Sequence, residues 1–284
     1  MKKQLTLLGV FAHPDDESFG PGGTLARYAG EGRNVHVIIA TDGIAGSVED
    51  VSKLSSHETL AQIRSAELSG AAVALGVTTI WSLPIATVAC VIRKQTSIRM
   101  PFIRQPIEKL TQEMVDYIER LQPDVVLTHD PFGGYGHPDH IRCCEAVTAA
   151  FHLVRSRSQQ RQQGWAPQKL YYTAFDKRLL KFVVRVMPFF RQDPSKIGRN
   201  QDINLIEISR WETPVHAKVN VKQYLPQKQA ASIAHASQYG GGPAFMRFLP
   251  KVLRQRFLEH EVFTRAYPAP NGKVEQDLFA NIVP

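Results

Sequence analysis

Unbroken apolar runs alternate with helically spaced ones along the first 175 residues of this chain. Residues 5–12 and 35–41 are stretches of apolar and β-branched side chains, interrupted in the second only by His36, as in parallel strands buried on both faces. Between them, 22–32 carries Leu25, Ala26, Tyr28 and Ala29 as the apolar face of a helix that Gly30 and Gly32 end. Residues 57–75 place Leu60, Ile63, Leu68 and Ala71 at helical spacing and stop at Gly76. A strand is expected at 79–83, then a helix at 106–121 that Pro123 forbids from continuing. A strand at 124–128, a helix at 141–154 and a strand at 169–175 complete the series. This alternation predicts an α/β fold, a mostly parallel, doubly wound sheet with helices on both faces. Beyond 175 the pattern is less regular, with a helix expected at 220–237 and a loop at Gly240-Gly241-Gly242-Pro243. No composition break marks a second domain, so one domain over 1–284 is expected, with a core to 175 and an elaboration over 176–284.

Two tetrads interrupt this apolar architecture, His13-Pro14-Asp15-Asp16 and His137-Pro138-Asp139-His140. Each follows a predicted strand, the second through a glycine turn, so each lies where open α/β sheets collect ligands, at the carboxyl ends of strands. Imidazole with carboxylate suits a divalent transition metal. His13, Asp16 and His140 make a three-ligand set that leaves coordination positions open, as a catalytic zinc site requires. Asp15 can point at water acidified by the metal and act as a general base. His137 can face a substrate oxygen or leaving group, and Asp139 can orient an imidazole. Glu17 fits an acid or a structural, capping role equally well.

Composition narrows the classes. Hydrophobic residues are 43% and charged residues 21%, ordinary for a folded chain, so wholesale disorder is excluded. No apolar run reaches the length of a membrane span. Met1-Lys2-Lys3-Gln4 resembles the start of a signal peptide, but 5–12 is short and lacks a convincing small-residue cleavage site. The expectation is a cytoplasmic protein, and Cys90, Cys143 and Cys144, which form no disulfide framework, fit a reducing compartment. Positions 153–200 hold eleven Lys/Arg against two Asp/Glu, which accounts for the whole net charge of +8.

Ala12 to Glu17 together with Gly136 to His140 resemble the PIG-L/LmbE-like zinc-dependent deacetylase family. Further matching positions run in order along the chain: Gly22-Gly23-Thr24, Thr41-Asp42-Gly43, Arg64 with Glu67, Leu75-Gly76-Val77, Pro123 to Val126, Lys228, His235, Ser237-Gln238 and Glu261-Val262-Phe263. The resemblance implies a Rossmann-like fold that hydrolyses the N-acetyl group of an N-acetylglucosamine-type conjugate. It implies His13, Asp16 and His140 as ligands of zinc, or of iron in the cell, and Asp15 as the base. His137 would hold the oxyanion or protonate the leaving amine, with Asp139 supporting it; Tyr135 would sit near the oxyanion and Arg64 would hold substrate. The 176–284 part would lie on the substrate side. One departure is that 83–87 lacks the acid many relatives carry after the third strand, while Arg93, Lys94, Arg99 and Arg104 are basic.

Gly20-Pro21-Gly22-Gly23 fails the dinucleotide spacing because Leu25 stands where the third glycine belongs. No aromatic-interleaved platform accompanies the basic block, so nucleic acid is not expected as a partner. Residues 177–191 are basic and apolar together; they read either as a flap packing on the core or as a weak contact with anionic membrane. His235 reads as a substrate-pocket or supporting residue, sharing a helix face with Lys228 and Ala231, and His129 reads as a support of the metal site. The competing functions are an amidase for a larger acyl group and a membrane-peripheral, lipid-binding protein with a non-catalytic metal. A homo-oligomer is compatible with the sequence.

Overall fold

The computed structural model describes residues 4–43, 59–83, 102–162, 164–175, 177–197, 204–238 and 258–282. In chain order these form β1 Thr6–Phe11, α1 Asp16–Phe19, α2 Gly22–Gly30, β2 Asn34–Ile39, α3 Leu60–Leu75, β3 Thr79–Ser82, α4 Ile107–Leu121 and β4 Val125–Thr128. There follow α5 Gly133–Gly136, α6 Pro138–Gln160, β5 Lys169–Ala174, α7 Lys177–Val186, α8 Leu205–Arg210, β6 Ala217–Asn220, α9 Leu225–Ala234 and β7 His260–Tyr267.

One seven-stranded sheet has the order β3-β2-β1-β4-β5-β7-β6. The five strands from β3 to β5 are parallel, and β7 and β6 extend the sheet antiparallel. Burial on both faces explains the unbroken apolar runs. Along β1, Leu7 and Phe11 enter a core with Leu25 of α2, Leu68 of α3 and Ala231 of α9. Leu8 and Val10 enter the opposite core with Met114 of α4 and Val147 of α6. Strand order reverses between β1 and β4, and at such a switch point two neighbouring strands diverge into oppositely directed connections and leave a crevice at their carboxyl ends. The first tetrad follows β1 and the second follows β4, so the topology brings both to one crevice.

Local signals set most element ends. Thr59 caps α3 in a reciprocal capping box with Gln62, and Gly76 ends it in the left-handed conformation. The second tetrad differs from its reading as a loop: Pro138 is the first residue of α6, and His137 is its cap, accepting the Asp139 N–H at 3.2 Å. Proline at the first helical position loses no hydrogen bond, which is why the helix starts there rather than at 141. The helix expected at 220–237 is shorter, because Val219 belongs to β6 and Val221 packs in the same core. Cys143 and Cys144 are free and buried on α6, as expected. No helix among the described residues is long and apolar enough to cross a membrane. The 240–243 loop, Cys90, Arg93, Lys94 and Arg99 lie outside the described residues.

Candidate metal centre

At the β1/β4 crevice three donor atoms converge. His13 Nδ1 lies 3.1 Å from His140 Nε2, and Asp16 Oδ2 lies 3.5 Å from the first and 3.3 Å from the second. Tetrahedral ligands at about 2.0–2.1 Å from zinc stand roughly 3.3–3.4 Å from one another, so the triangle has the size such an ion needs. The remaining nitrogens fix the direction of the lone pairs. His13 Nε2 is 3.2 Å from Asp139 Oδ2, and His140 Nδ1 is 3.2 Å from the Gly133 carbonyl oxygen. A carboxylate and a carbonyl only accept, so each ring donates its outer N–H and turns a lone pair into the triangle. Two imidazole lone pairs aimed at each other beside a carboxylate repel unless a cation lies between them. The donor set therefore fits a divalent metal.

His129 stacks on His140, with ring centroids 3.9 Å apart and 11° between planes. Its Nε2 is 3.4 Å from Asp16 Oδ2 but accepts the Ala12 N–H at 2.9 Å, so that lone pair is committed. Asp16, His129 and His140 lie close enough together to share an ion, but with Nε2 engaged by the Ala12 N–H, His129 supports the His140 ring and the β1 end. His137 has its Nδ1 occupied by the Asp139 N–H, which leaves the proton on Nε2. That ring packs against His13 and His140, with centroids 4.6 and 4.8 Å away. Asp139 thus holds two histidines in two ways, His13 through its carboxylate and His137 through its backbone. The support expected of Asp139 for His137 comes through its backbone N–H, while its carboxylate orients the His13 imidazole.

Electrostatics follow from burial and these contacts. Burial disfavours a His13 imidazolium, but hydrogen bonds to Asp139 and Asp16 outweigh it and lift the group to about 10. The position is built for positive charge. Burial also opposes ionisation of Asp16, yet His140 and His129 hold it well below the usual carboxylate range. Burial, then the charge on Asp16, pushes Asp15 up to about 8 against the pull of His13 and His235. Burial, then His13 and His140, holds His137 down at about 3, so its ring is neutral.

Asp15 occupies φ 127°, ψ −30°, a costly conformation for a residue with a side chain. Its N–H donates to Glu17 Oε2 at 2.9 Å, and Glu17 Oε1 is 2.6 Å from His235 Nε2. Glu17 and His235 are fully buried, so His235 reaches the crevice through Glu17 rather than by lining it. Arg64, buried on α3, donates to the Gly43 carbonyl, and its charge interacts with Asp15. Tyr135 lies exposed at the mouth, its ring 5.6 Å from His137 and 5.4 Å from His140.

Two acids that shape the site had no assigned role in the sequence. Asp130 accepts the Gly134 N–H at 2.7 Å and so folds the turn that presents the Gly133 carbonyl to His140. Its signal was its place two residues after β4. Glu261 accepts the Gly23 and Thr24 N–H groups at 2.9 and 2.7 Å and binds Lys228 at 2.5 Å. A carboxylate from β7 therefore occupies the α2 N-terminus, where a dinucleotide's phosphates would have to bind.

The sequence matches the PIG-L family, described as GlcNAc-PI de-N-acetylase, over residues 8–151. The 1D-myo-inositol 2-acetamido-2-deoxy-alpha-D-glucopyranoside deacetylase of Thermomonospora curvata is 31% identical, covering 82% of this chain and 80% of its own. Among solved structures, the N,N'-diacetylchitobiose deacetylase of Pyrococcus horikoshii is similar with TM-score 0.59 at 20% identity, over 100% of this chain and 88% of that one. A 4-carboxy-2-hydroxymuconate hydratase from Pseudomonas putida is similar with TM-score 0.60 at 17% identity, over 94% and 98%. At such identities the structural likeness speaks for the fold alone. The family match covers half of the chain and includes every donor of the crevice, and on it this chain belongs to the PIG-L family of deacetylases.

Proposed function

We propose that the chain is a zinc-dependent hydrolase that removes the N-acetyl group from an N-acetylglucosamine-type conjugate. The observation that carries this reading is the convergence of His13 Nδ1, His140 Nε2 and Asp16 Oδ2 within 3.1–3.5 Å, with a strained Asp15 beside them. His13, Asp16 and His140 would hold the ion, which would supply Lewis-acid polarisation of the acetamide carbonyl and a more acidic water molecule. Asp15 takes the proton of that water as its oxygen attacks the carbonyl carbon. The neutral His137 donates its Nε2–H to the oxygen that gains charge, with Tyr135 at the same mouth. Asp15 then returns the proton to the nitrogen as the C–N bond breaks, leaving acetate and a free amine. Arg64 and the Glu17–His235 pair position Asp15 and the substrate side of the crevice.

The test is acetate release from a panel of N-acetyl amino sugars, with wild type and Asp15→Asn, alongside metal content by elemental analysis. Asp15→Asn is expected to keep its zinc and lose about 100- to 10,000-fold in turnover, the range of a lost general base. Loss of zinc in that variant would reassign Asp15 to the ligand set. Release of only longer acyl groups would replace acetate as the product.

A further inference from the structure

Beyond the crevice, α7 and the 3₁₀ turn Met187–Phe190 form a small satellite unit with its own core. Leu180, Val183 and Met187 pack on Leu205 and Ile208 of α8, and Lys177 Nζ ties the two by donating to the Ile208 carbonyl at 2.8 Å. That packing satisfies one side of the segment. On the other, Phe182 is 53% exposed, Phe189 85% and Phe190 57%, while Lys181, Arg185 and Arg191 are exposed among them. Residues 177–191 contain no acid, and the next one along, Asp193, is turned onto the Ser195 hydroxyl at 2.6 Å.

We propose that this face docks on the headgroup region of an anionic phospholipid bilayer. Exposing most of the Phe189 ring and half of the Phe182 ring to water is costly, and apolar surface of this kind beside cations marks a contact site. Rings interspersed with cations of one sign match a surface that is apolar just beneath and negative on top. Docking is in the plane of the interface, since α7 has only 10 residues and its other side is committed to the protein. The unit hangs on the metal centre. Phe132, next to the Gly133 turn, stacks on Trp211 with centroids 5.0 Å apart, and Phe175 at the end of β5 lies close to Gly134.

The experiment is flotation of the full chain with vesicles of phosphatidylcholine alone and with about one third phosphatidylglycerol, at low and high salt. Binding is expected to the anionic vesicles, weakened by salt, with little on neutral ones. The pair Phe189→Asp and Phe190→Asp is expected to weaken vesicle binding by about tenfold or more. Its circular dichroism and acetate release from a soluble substrate should stay as in wild type. Lys181→Glu with Arg185→Glu should reduce anionic binding alone. Absence of binding to anionic vesicles at low salt, or unchanged binding by the phenylalanine variants, overturns the proposal. So does size-exclusion showing a wild-type dimer that the same variants convert to monomer, since the face would then belong to a second copy.

Discussion

Asp139→Asn separates two roles that lie one residue apart. The substitution keeps size and shape, keeps the backbone N–H that caps α6 on His137, and removes only the negative charge facing His13 Nε2 at 3.2 Å. A hydrogen bond to a charged group contributes about 1.5–3 kcal/mol. That bond acts through the His13 ring on the electron density offered at Nδ1, so its loss falls on metal binding. At about 1.4 kcal/mol per decade the expected weakening is about 10- to 100-fold, the range for a lost partner behind a ligating histidine. The assay is competitive titration of zinc against a chromophoric chelator, followed by acetate release at saturating zinc. Weaker metal affinity with activity largely recovered at saturation is the expected pair of results. Unchanged affinity with lost activity would refute the argument, because the carboxylate would then serve the chemistry at His137.

Three further outcomes follow from the same geometry. Gly133 has φ +73°, and a Cβ there would stand 2.8 Å from Ile141 Cγ1 and 3.2 Å from His140 Cβ. Gly133→Ala should therefore cost about 1–3 kcal/mol in urea unfolding and weaken zinc binding through His140; a neutral result would mean the turn relaxes freely. His129→Phe keeps the stacked ring but strands the buried Ala12 N–H, so about 1–3 kcal/mol of stability should go while elemental analysis still finds zinc at the wild-type stoichiometry; loss of zinc would make His129 a ligand. Burial opposes an imidazolium at His235, but the Glu17 hydrogen bond raises it above 6.5. Stability from a raised histidine is present in full below pH 6.5 and drains as pH climbs through the folded value, so the gap in melting temperature between wild type and His235→Gln should shrink as pH rises above 6.5; a constant gap would exclude that linkage.

What the sequence revealed depended on how local each signal was. β1 and β4 were legible because both of their faces are buried and their apolar runs are unbroken, whereas in β2 the polar Asn34 and His36 are only half-buried and the continuous buried run begins at Val37. β7 was not legible, because it is flanked by short β6 and only half covered. Its buried positions are Phe263 and Arg265, with Glu261 and Thr264 between and beside them, and no run or clean alternation results. The donors that converge at the crevice were legible because His13-Pro14-Asp15-Asp16 and His137-Pro138-Asp139-His140 each carry imidazole and carboxylate within four residues. Which imidazole Asp139 faces was not, since that pairing spans 126 positions and is decided by how β1 lies beside β4. Burial of His235 against Glu17, 218 positions away, was hidden for the same reason.

The fold also leaves the reaction open, since a hydratase and a deacetylase share it. Hydration and amide hydrolysis both need activated water. Amide cleavage adds a demand of its own: the leaving nitrogen departs only when it receives a proton, so the group that deprotonates water must keep that proton within reach. Asp15 lies beside the converging donors, where burial and the charge on Asp16 favour its protonated form relative to an ordinary carboxylate. Its backbone is kept in a strained conformation by the hydrogen bond from its N–H to Glu17, which in turn is pinned by buried His235. Strain of this kind persists only where surrounding contacts over-determine it. The Glu17–His235 pair therefore connects α9, remote in sequence, to the one group whose proton the proposed chemistry uses twice.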